Sequence, residues 1–181
     1  AILFVGRLVE RYKGVETLLE ACARLDQRGL APTLLIAGEG PDEGHYRQRA
    51  QELSLGDVRF LGTLGHDDLC RYYATADVLV LPSRSEPWGF VLNEGMEFGL
   101  PLVASDRVGA GPDLIHPGEN GFIVPAGDAE ALSSSLEQLG RDEALRRSMG
   151  QASRKIVEGF SPRRWASGAM HAIEAACAPA E

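Results

Sequence analysis

Six short apolar runs punctuate this chain, and between them the hydrophobic positions fall at helical spacing. The runs are Ile2–Val5, Thr33–Ala37, Val58–Leu61, Val78–Leu81, Leu102–Ala104 and Phe122–Val124. Their aliphatic, β-branched make-up is that of strands buried on both faces. Val15, Leu18, Leu19, Cys22 and Leu25 form one helical stripe, and Leu69, Tyr72, Tyr73 and Ala76 repeat it before the fourth run. After Val124 the pattern is helical throughout. Asp128 is placed to cap a helix carrying Ala131, Leu132, Leu136 and Leu139, and Asp142–Glu158 reads as a second, charge-rich helix. Ser161-Pro162 opens a third, whose Trp165, Ala169, Ala172, Ile173 and Ala176 share a face most simply read as core packing. Strands alternating with helices predict an α/β fold: a doubly wound, mostly parallel sheet with a helical C-terminal tail. No repeat, low-complexity tract or long linker interrupts it, so residues 1–181 are expected to form one domain.

Composition narrows the classes. A chain of 181 residues can bury roughly 70% of its unfolded surface. The net charge of −8 argues against a general nucleic-acid surface or a polybasic membrane patch. An acidic protein that binds phosphate must therefore do so through a local arrangement. Cys22, Cys70 and Cys177 are odd in number and widely spaced, and read as reduced thiols in helices. Neither they nor the four histidines show metal-ligand spacing, so no metal or cofactor is expected. No stretch approaches the roughly 18 apolar residues of a membrane span, and there is no signal peptide. Ala1-Ile2-Leu3-Phe4-Val5-Gly6 opens inside the first strand. Chains seldom begin mid-core, so a piece of a longer protein is expected.

The richest stretch is Ser85-Glu86-Pro87-Trp88-Gly89-Phe90-Val91-Leu92-Asn93-Glu94. It follows the fourth strand and leads into a helix expected over Phe90–Phe98. Pro87 keeps Glu86 out of helical geometry, so that carboxylate lies in the loop. Glu94 falls about one turn into the helix, on a polar stripe with Asn93 and Glu97. The helix N-terminus offers free amides and partial positive charge, and Gly89 permits close approach of a ligand. Such a junction suits an anionic group on its amides and hydroxyls on its two carboxylates, a combination that a nucleotide-sugar carries. Gly6-Arg7-Leu8 and Lys13-Gly14 follow the first strand, and two cations on one short loop suit a diphosphate. The plainer readings are that Arg7 and Lys13 are solvated surface cations, that Glu94 merely favours the helix dipole, and that Glu86 is a loop residue in water. Gly38-Glu39-Gly40 is too short for a dinucleotide fingerprint and follows the second strand, not the first. An oxidoreductase is therefore a distant reading.

Taken in order, these elements resemble the donor-binding C-terminal half of glycosyltransferase family 4, retaining enzymes built from two Rossmann-like domains in the GT-B arrangement. The series runs from Gly6-Arg7-Leu8 and Lys13-Gly14 through Gly38-Glu39-Gly40-Pro41, Phe60-Leu61-Gly62 and Ala76-Asp77-Val78 to Pro82-Ser83. It continues through the Glu86/Glu94 pair, Gly99-Leu100-Pro101-Leu102-Val103-Ala104-Ser105 and Gly118-Glu119-Asn120-Gly121-Phe122-Ile123-Val124-Pro125. It covers nearly the whole chain and is weakest after Asp128.

The resemblance implies a nucleotide-sugar donor held here, with an N-terminal acceptor domain belonging to the same polypeptide but absent from this sequence. By the same resemblance, Arg7 and Lys13 hold the diphosphate and stabilise the leaving nucleotide. Glu86 contacts hydroxyls of the transferred sugar, and Glu94 accepts from the ribose. Amides at Gly89, Phe90 and Val91 meet sugar and phosphate. Gly6 belongs to the donor loop, while Gly62, Thr63 and Leu64 flank the nucleobase, although Leu64 reads equally well as plain loop packing. It further implies a cytoplasmic enzyme that needs no metal, with peripheral docking to the inner face of a membrane through the missing domain in relatives that use lipid acceptors. A C-terminal helix in relatives often crosses back to the other domain. Two departures stand out: Gly109-Ala110-Gly111-Pro112-Asp113 replaces the family's Gly-Gly followed by Pro-Glu, and Trp88 stands where Phe is common. The first puts any sugar contact from that loop in doubt, and the second reads best as a packing anchor. A sugar-nucleotide epimerase of the same two-domain layout and a non-catalytic sugar-nucleotide-binding module are the alternatives; intact Glu86 and Glu94 weigh against both.

Overall fold

The computed structural model describes residues 1–177. Strands β1 (Ile2–Val5), β2 (Leu34–Ala37), β3 (Val58–Gly62), β4 (Val78–Leu81), β5 (Leu102–Ser105) and β6 (Gly121–Val124) coincide with the six apolar runs to within a residue at each end. They form one sheet in the order β3-β2-β1-β4-β5-β6, and every neighbouring pair is parallel. The chain thus winds outward from β1 to one edge, returns to β4 beside β1, and winds to the other edge. β2, β4 and β5 are buried along their whole length, whereas the edge strand β3 is partly exposed. That gradient is what continuous apolar runs require of a sheet covered on both faces.

Between the strands lie α1 (Glu10–Lys13), α2 (Val15–Gln27), α3 (Glu43–Glu52), α4 (His66–Thr75), α5 (Phe90–Glu97) and α6 (Gly111–Leu114). After β6 come α7 (Ala129–Arg141), α8 (Glu143–Val157) and α9 (Pro162–Cys177). α2 presents Val15, Leu18, Leu19, Cys22 and Leu25 to the core, as its stripe predicts, and packs on α3 and α7. α3 carries no such stripe, because only Tyr46 and Ala50 are buried along it. Asp128 caps α7 by accepting the Ala131 amide at 2.9 Å, and Asp142 caps α8 by accepting that of Leu145 at 2.9 Å. Each bond satisfies an amide that the first helical turn leaves unpaired.

The tail departs from expectation at one point. The α9 face read as core packing is in solvent: Trp165 is 77% and Ile173 57% exposed. Helical periodicity identifies an apolar face but does not say what covers it. Among the described residues, no helix is long and apolar enough to cross a membrane.

Candidate functional site

In a sheet of this order the crevice opens where the winding reverses, at the carboxyl ends of β1 and β4. The loop after β1 begins there. The Gly6 amide continues the ladder to the Ala37 carbonyl at 3.0 Å, and the Leu8 amide donates to Glu39 at 2.9 Å. Leu8 is fully buried, which leaves its neighbour Arg7 exposed. α1 is fixed by Glu10, whose amide donates to Asp42 Oδ2 at 2.8 Å. The Glu10 carboxylate accepts from the Glu16 amide at 3.0 Å, the Tyr46 hydroxyl at 3.0 Å and Arg84 Nε at 3.1 Å. Burial first, and then the Glu10 charge, push the Tyr46 phenol well above its ordinary value.

The loop after β4 is stitched to this one. The Arg84 and Ser85 amides both donate to the Tyr12 carbonyl, at 2.7 and 3.2 Å. Lys13 Nζ is thereby brought onto Glu86 Oε2 in an ion pair whose side chains are 20% and 15% exposed. The two predicted groups therefore meet, and neither is the free surface charge of the plainer reading. Arg7, Val9, Tyr12, Lys13, Ser85, Glu86 and Pro87 line one cleft of about 310 Å³. Arg7 also borders a wider one, about 780 Å³, with Glu39, Glu43, Thr63 and the backbone of Gly38 and Gly40.

A second set of bonds clamps the Glu86 loop from the β5 side. The Glu86 amide donates to Arg107 O at 3.1 Å, the Gly109 amide to Glu86 O at 2.8 Å, and the Ala110 amide to Trp88 O at 3.1 Å. A Cβ on Gly109 would lie 2.0 Å from the Pro87 carbonyl oxygen, so glycine is required there by close approach. The loop's backbone at Gly109 and Ala110 thus serves to hold Glu86. Gly89 is buried at φ 96°, and a Cβ would meet Leu81 at 2.9 Å and Val108 at 3.0 Å. Packing therefore demands this glycine whether or not a ligand approaches it. Trp88 is half-buried and donates Nε1–H to Asn93 Oδ1 at 3.1 Å, as an anchor beneath the loop would.

α5 begins at Phe90 without a side-chain cap; the Leu92 amide donates to the Gly89 carbonyl at 2.9 Å, which leaves those of Phe90 and Val91 to another acceptor. Phe90 itself is 73% exposed, with its ring 6.3 Å from that of Trp88, and Val91 is half-buried. Glu94 is exposed, as is Glu97, and accepts from the Tyr73 hydroxyl at 2.6 Å. Burial, followed by this bond, raises the Tyr73 phenol far above its usual range. Thr63, just past β3, lines the wider cleft, and its amide donates to the Glu39 carboxylate at 3.2 Å; Gly62 ends β3 outside that lining and accepts from the Gly38 amide at 2.8 Å. Leu64 turns away and lines a separate hollow with Asp68, Arg71, Tyr72 and Thr75 of α4. Glu39 and Tyr73 are the site neighbours that sequence reasoning missed, whereas Gly109 lies in the loop already singled out for its departure from the family pattern. Only Glu39 had a local signal, the paired glycines around it.

Among the described residues, no three His, Cys, Asp or Glu side chains are placed to hold a metal ion. A smaller hollow of about 190 Å³, lined by Ala1, Leu25, Pro32, Leu136 and Arg146 among others, lies at the opposite, amino end of the sheet. Its charged groups are paired with one another, Asp77 with the terminal ammonium and with Arg146 at 3.8 Å.

Residues 1–156 match the family model described as Glycosyl transferases group 1. A phosphatidyl-myo-inositol mannosyltransferase of Mycobacterium leprae is 36% identical over 174 residues, covering 96% of this chain and 46% of that protein. A sucrose-phosphate synthase from Thermosynechococcus elongatus superposes with a TM-score of 0.81 at 33% identity, over 98% of this chain and 46% of that one. The Anabaena protein HepE, solved in complex with UDP, superposes with a TM-score of 0.76 at 25% identity, over 86% of this chain and 43% of that one. Relative to its curated relatives, the chain spans from 31% of the length of one to 46% of another.

Proposed function

This chain belongs to the glycosyl transferases group 1 family, and we propose that it is the donor-binding, C-terminal half of a retaining family 4 enzyme. Its parallel six-stranded sheet with flanking helices matches the Rossmann-like fold of GT-B enzymes. The donor is a nucleoside diphosphate sugar, in keeping with the UDP held by the HepE relative. The observation that carries this reading is the convergence of Arg7, Lys13 and Glu86 on one cleft beside an uncapped helix N-terminus.

In this reading Arg7 and Lys13 take the diphosphate, and the first-turn amides at Gly89, Phe90 and Val91 complete the anion site. As the sugar leaves, negative charge builds on the nucleotide's β-phosphate, and these fixed cations and dipoles offset it without a bound metal. Glu86 accepts from hydroxyls of the transferred sugar, Glu94 accepts from the ribose, and Gly6, Gly62 and Thr63 border the nucleotide. The acceptor is supplied by a second domain of the same polypeptide, so this chain alone binds nucleotide weakly and transfers no sugar. Front-face displacement, with the leaving phosphate taking the acceptor proton, accounts for retention.

Calorimetry tests the reading. Each hydrogen bond to a charged group contributes about 1.5–3 kcal/mol. Arg7→Ala or Lys13→Ala should therefore weaken binding of a nucleoside diphosphate by about 10- to 100-fold while leaving the bare nucleoside almost unchanged. Equal losses for both ligands would refute the diphosphate assignment, and sugar turnover by this chain alone would refute the division of labour.

A further inference from the structure

Glu94 stands on the exposed side of α5, where a carboxylate needs no protein partner. It nevertheless has one. Tyr73, 2% exposed in α4, donates its hydroxyl to Glu94 Oε2 at 2.6 Å across 21 residues of sequence. The Tyr73 ring is held in turn by Phe98 at the end of α5, stacked at 5.3 Å with an interplanar angle of 14°. The donor is thus immobilised by packing, and the acceptor is the mobile, solvated member of the pair. A free glutamate on a helix surface samples several rotamers, whereas one bonded to a fixed hydroxyl is confined to those that reach it.

An ionised carboxylate accepts at about four lone-pair positions. Tyr73 occupies one, and among the described residues no other donor reaches this carboxylate. The remaining positions suit a ligand with two adjacent hydroxyls, which a ribose presents and an isolated phosphate does not. We propose that Tyr73 is a positioning residue for ribose recognition, its fixed hydroxyl setting the orientation in which Glu94 accepts from the sugar. The inference rests on Glu94 being the ribose acceptor and adds the residue that aims it.

The test is a double-mutant cycle read by calorimetry on the 181-residue chain, with UDP, ADP and GDP and their 2′-deoxy counterparts as probes. The tightest-binding base is carried forward. Tyr73→Phe keeps the ring on Phe98 and returns Glu94 to solvent, so the variant should fold with Tm within about 4 °C of the parent. It is expected to weaken the ribonucleotide about five-fold and the deoxyribonucleotide much less, narrowing the preference between them. In a Glu94→Ala background the same change should have no effect on that preference. Equal weakening of both nucleotides, an undiminished effect without Glu94, or no effect at all overturns the positioning role while leaving Glu94 in place. If Glu94→Ala itself keeps the full preference for ribose, or no diphosphate binds, the reading beneath it fails and Tyr73 falls with it. Should Tyr73→Phe unfold the chain, Phe98→Leu loosens the ring that fixes Tyr73 while leaving its hydroxyl, and an unchanged ribose preference in that folded variant refutes the role.

Discussion

Lys13 and Glu86, 73 positions apart in sequence, form an ion pair at the mouth of the cleft between β1 and β4. Each group therefore neutralises the other, and each must be released, at least in part, to take up its proposed role. A diphosphate competes with Glu86 for Lys13, and sugar hydroxyls compete with Lys13 for Glu86. Glu86→Gln removes one side of this contest. We expect binding of a nucleoside diphosphate to strengthen by about three- to ten-fold, since a half-buried like charge is removed from beside the phosphates. The extra affinity of the matching nucleotide-sugar should shrink at the same time. Weaker binding of the diphosphate in this variant would show that Glu86 instead holds Lys13 in place for it.

The clamp on the Glu86 loop can be loosened without touching a charge. Gly109→Ala drives a Cβ against the Pro87 carbonyl. The resulting overpacking costs about 1–3 kcal/mol, or about 2–4 °C of Tm for each kcal/mol. Binding of nucleotide-sugar should fall together with Tm, because the displaced backbone carries Glu86. Gly44→Ala in α3 is the contrasting control, since a Cβ there meets nothing within 4 Å. It should raise stability by up to about 1 kcal/mol by its helix propensity alone. Differential scanning calorimetry on the two variants separates the cases, and a stabilising Gly109→Ala would contradict the described loop contact.

Cysteine chemistry gives a pH dependence with a definite sign. Burial first, then the nearby Asp26 charge, push the Cys22 thiol from 9.0 up to about 12. The folded chain keeps that proton while the unfolded chain sheds it near 9.0, so the stability it contributes is complete below pH 9.0 and is lost progressively towards pH 12. Tyr46 and Tyr73, also raised, steepen the loss above about pH 10. Guanidinium midpoints should thus fall between pH 8 and pH 11, and fall less in Cys22→Ala. At pH 8 a thiol reagent should label Cys70 and Cys177 in the native chain but reach Cys22 only on unfolding.

Trp165 is a direct check on the tail. At 77% exposure it should be readily quenched by acrylamide, and Trp165→Ala should change stability by no more than about 0.5 kcal/mol. A core tryptophan would cost about 3–5 kcal/mol, and a loss of that size would restore the buried face that the periodicity suggested.

How much of this was legible in the chain differs by kind of information. Buried strands announce themselves as short aliphatic runs, and all six emerged at or next to their observed ends. α5 and the cap at Asp128 were equally local signals, whereas Asp142, read as the start of the second helix, caps it instead. The meeting of Arg7, Lys13 and Glu86 followed from strand order, since each leaves the carboxyl end of β1 or β4. What could not be read were pairings between side chains on different elements. Tyr73 looked like one more residue of an apolar stripe, and nothing local marks it as a donor to Glu94. Leu64 lies two residues past β3, too near to tell from the chain which side of the loop it would take. The α9 face failed for the opposite reason, its spacing being clear and its covering surface not part of the pattern.

The reversal of winding between β1 and β4 has a consequence for assembly. The residues gathered at the cleft come from the opening and the middle of the chain, and they face one another only after β1 has docked beside β4. A chain halted before that docking has half a grip and no affinity, so a bound nucleotide would act as a clasp across the seam, rewarding only the completed sheet.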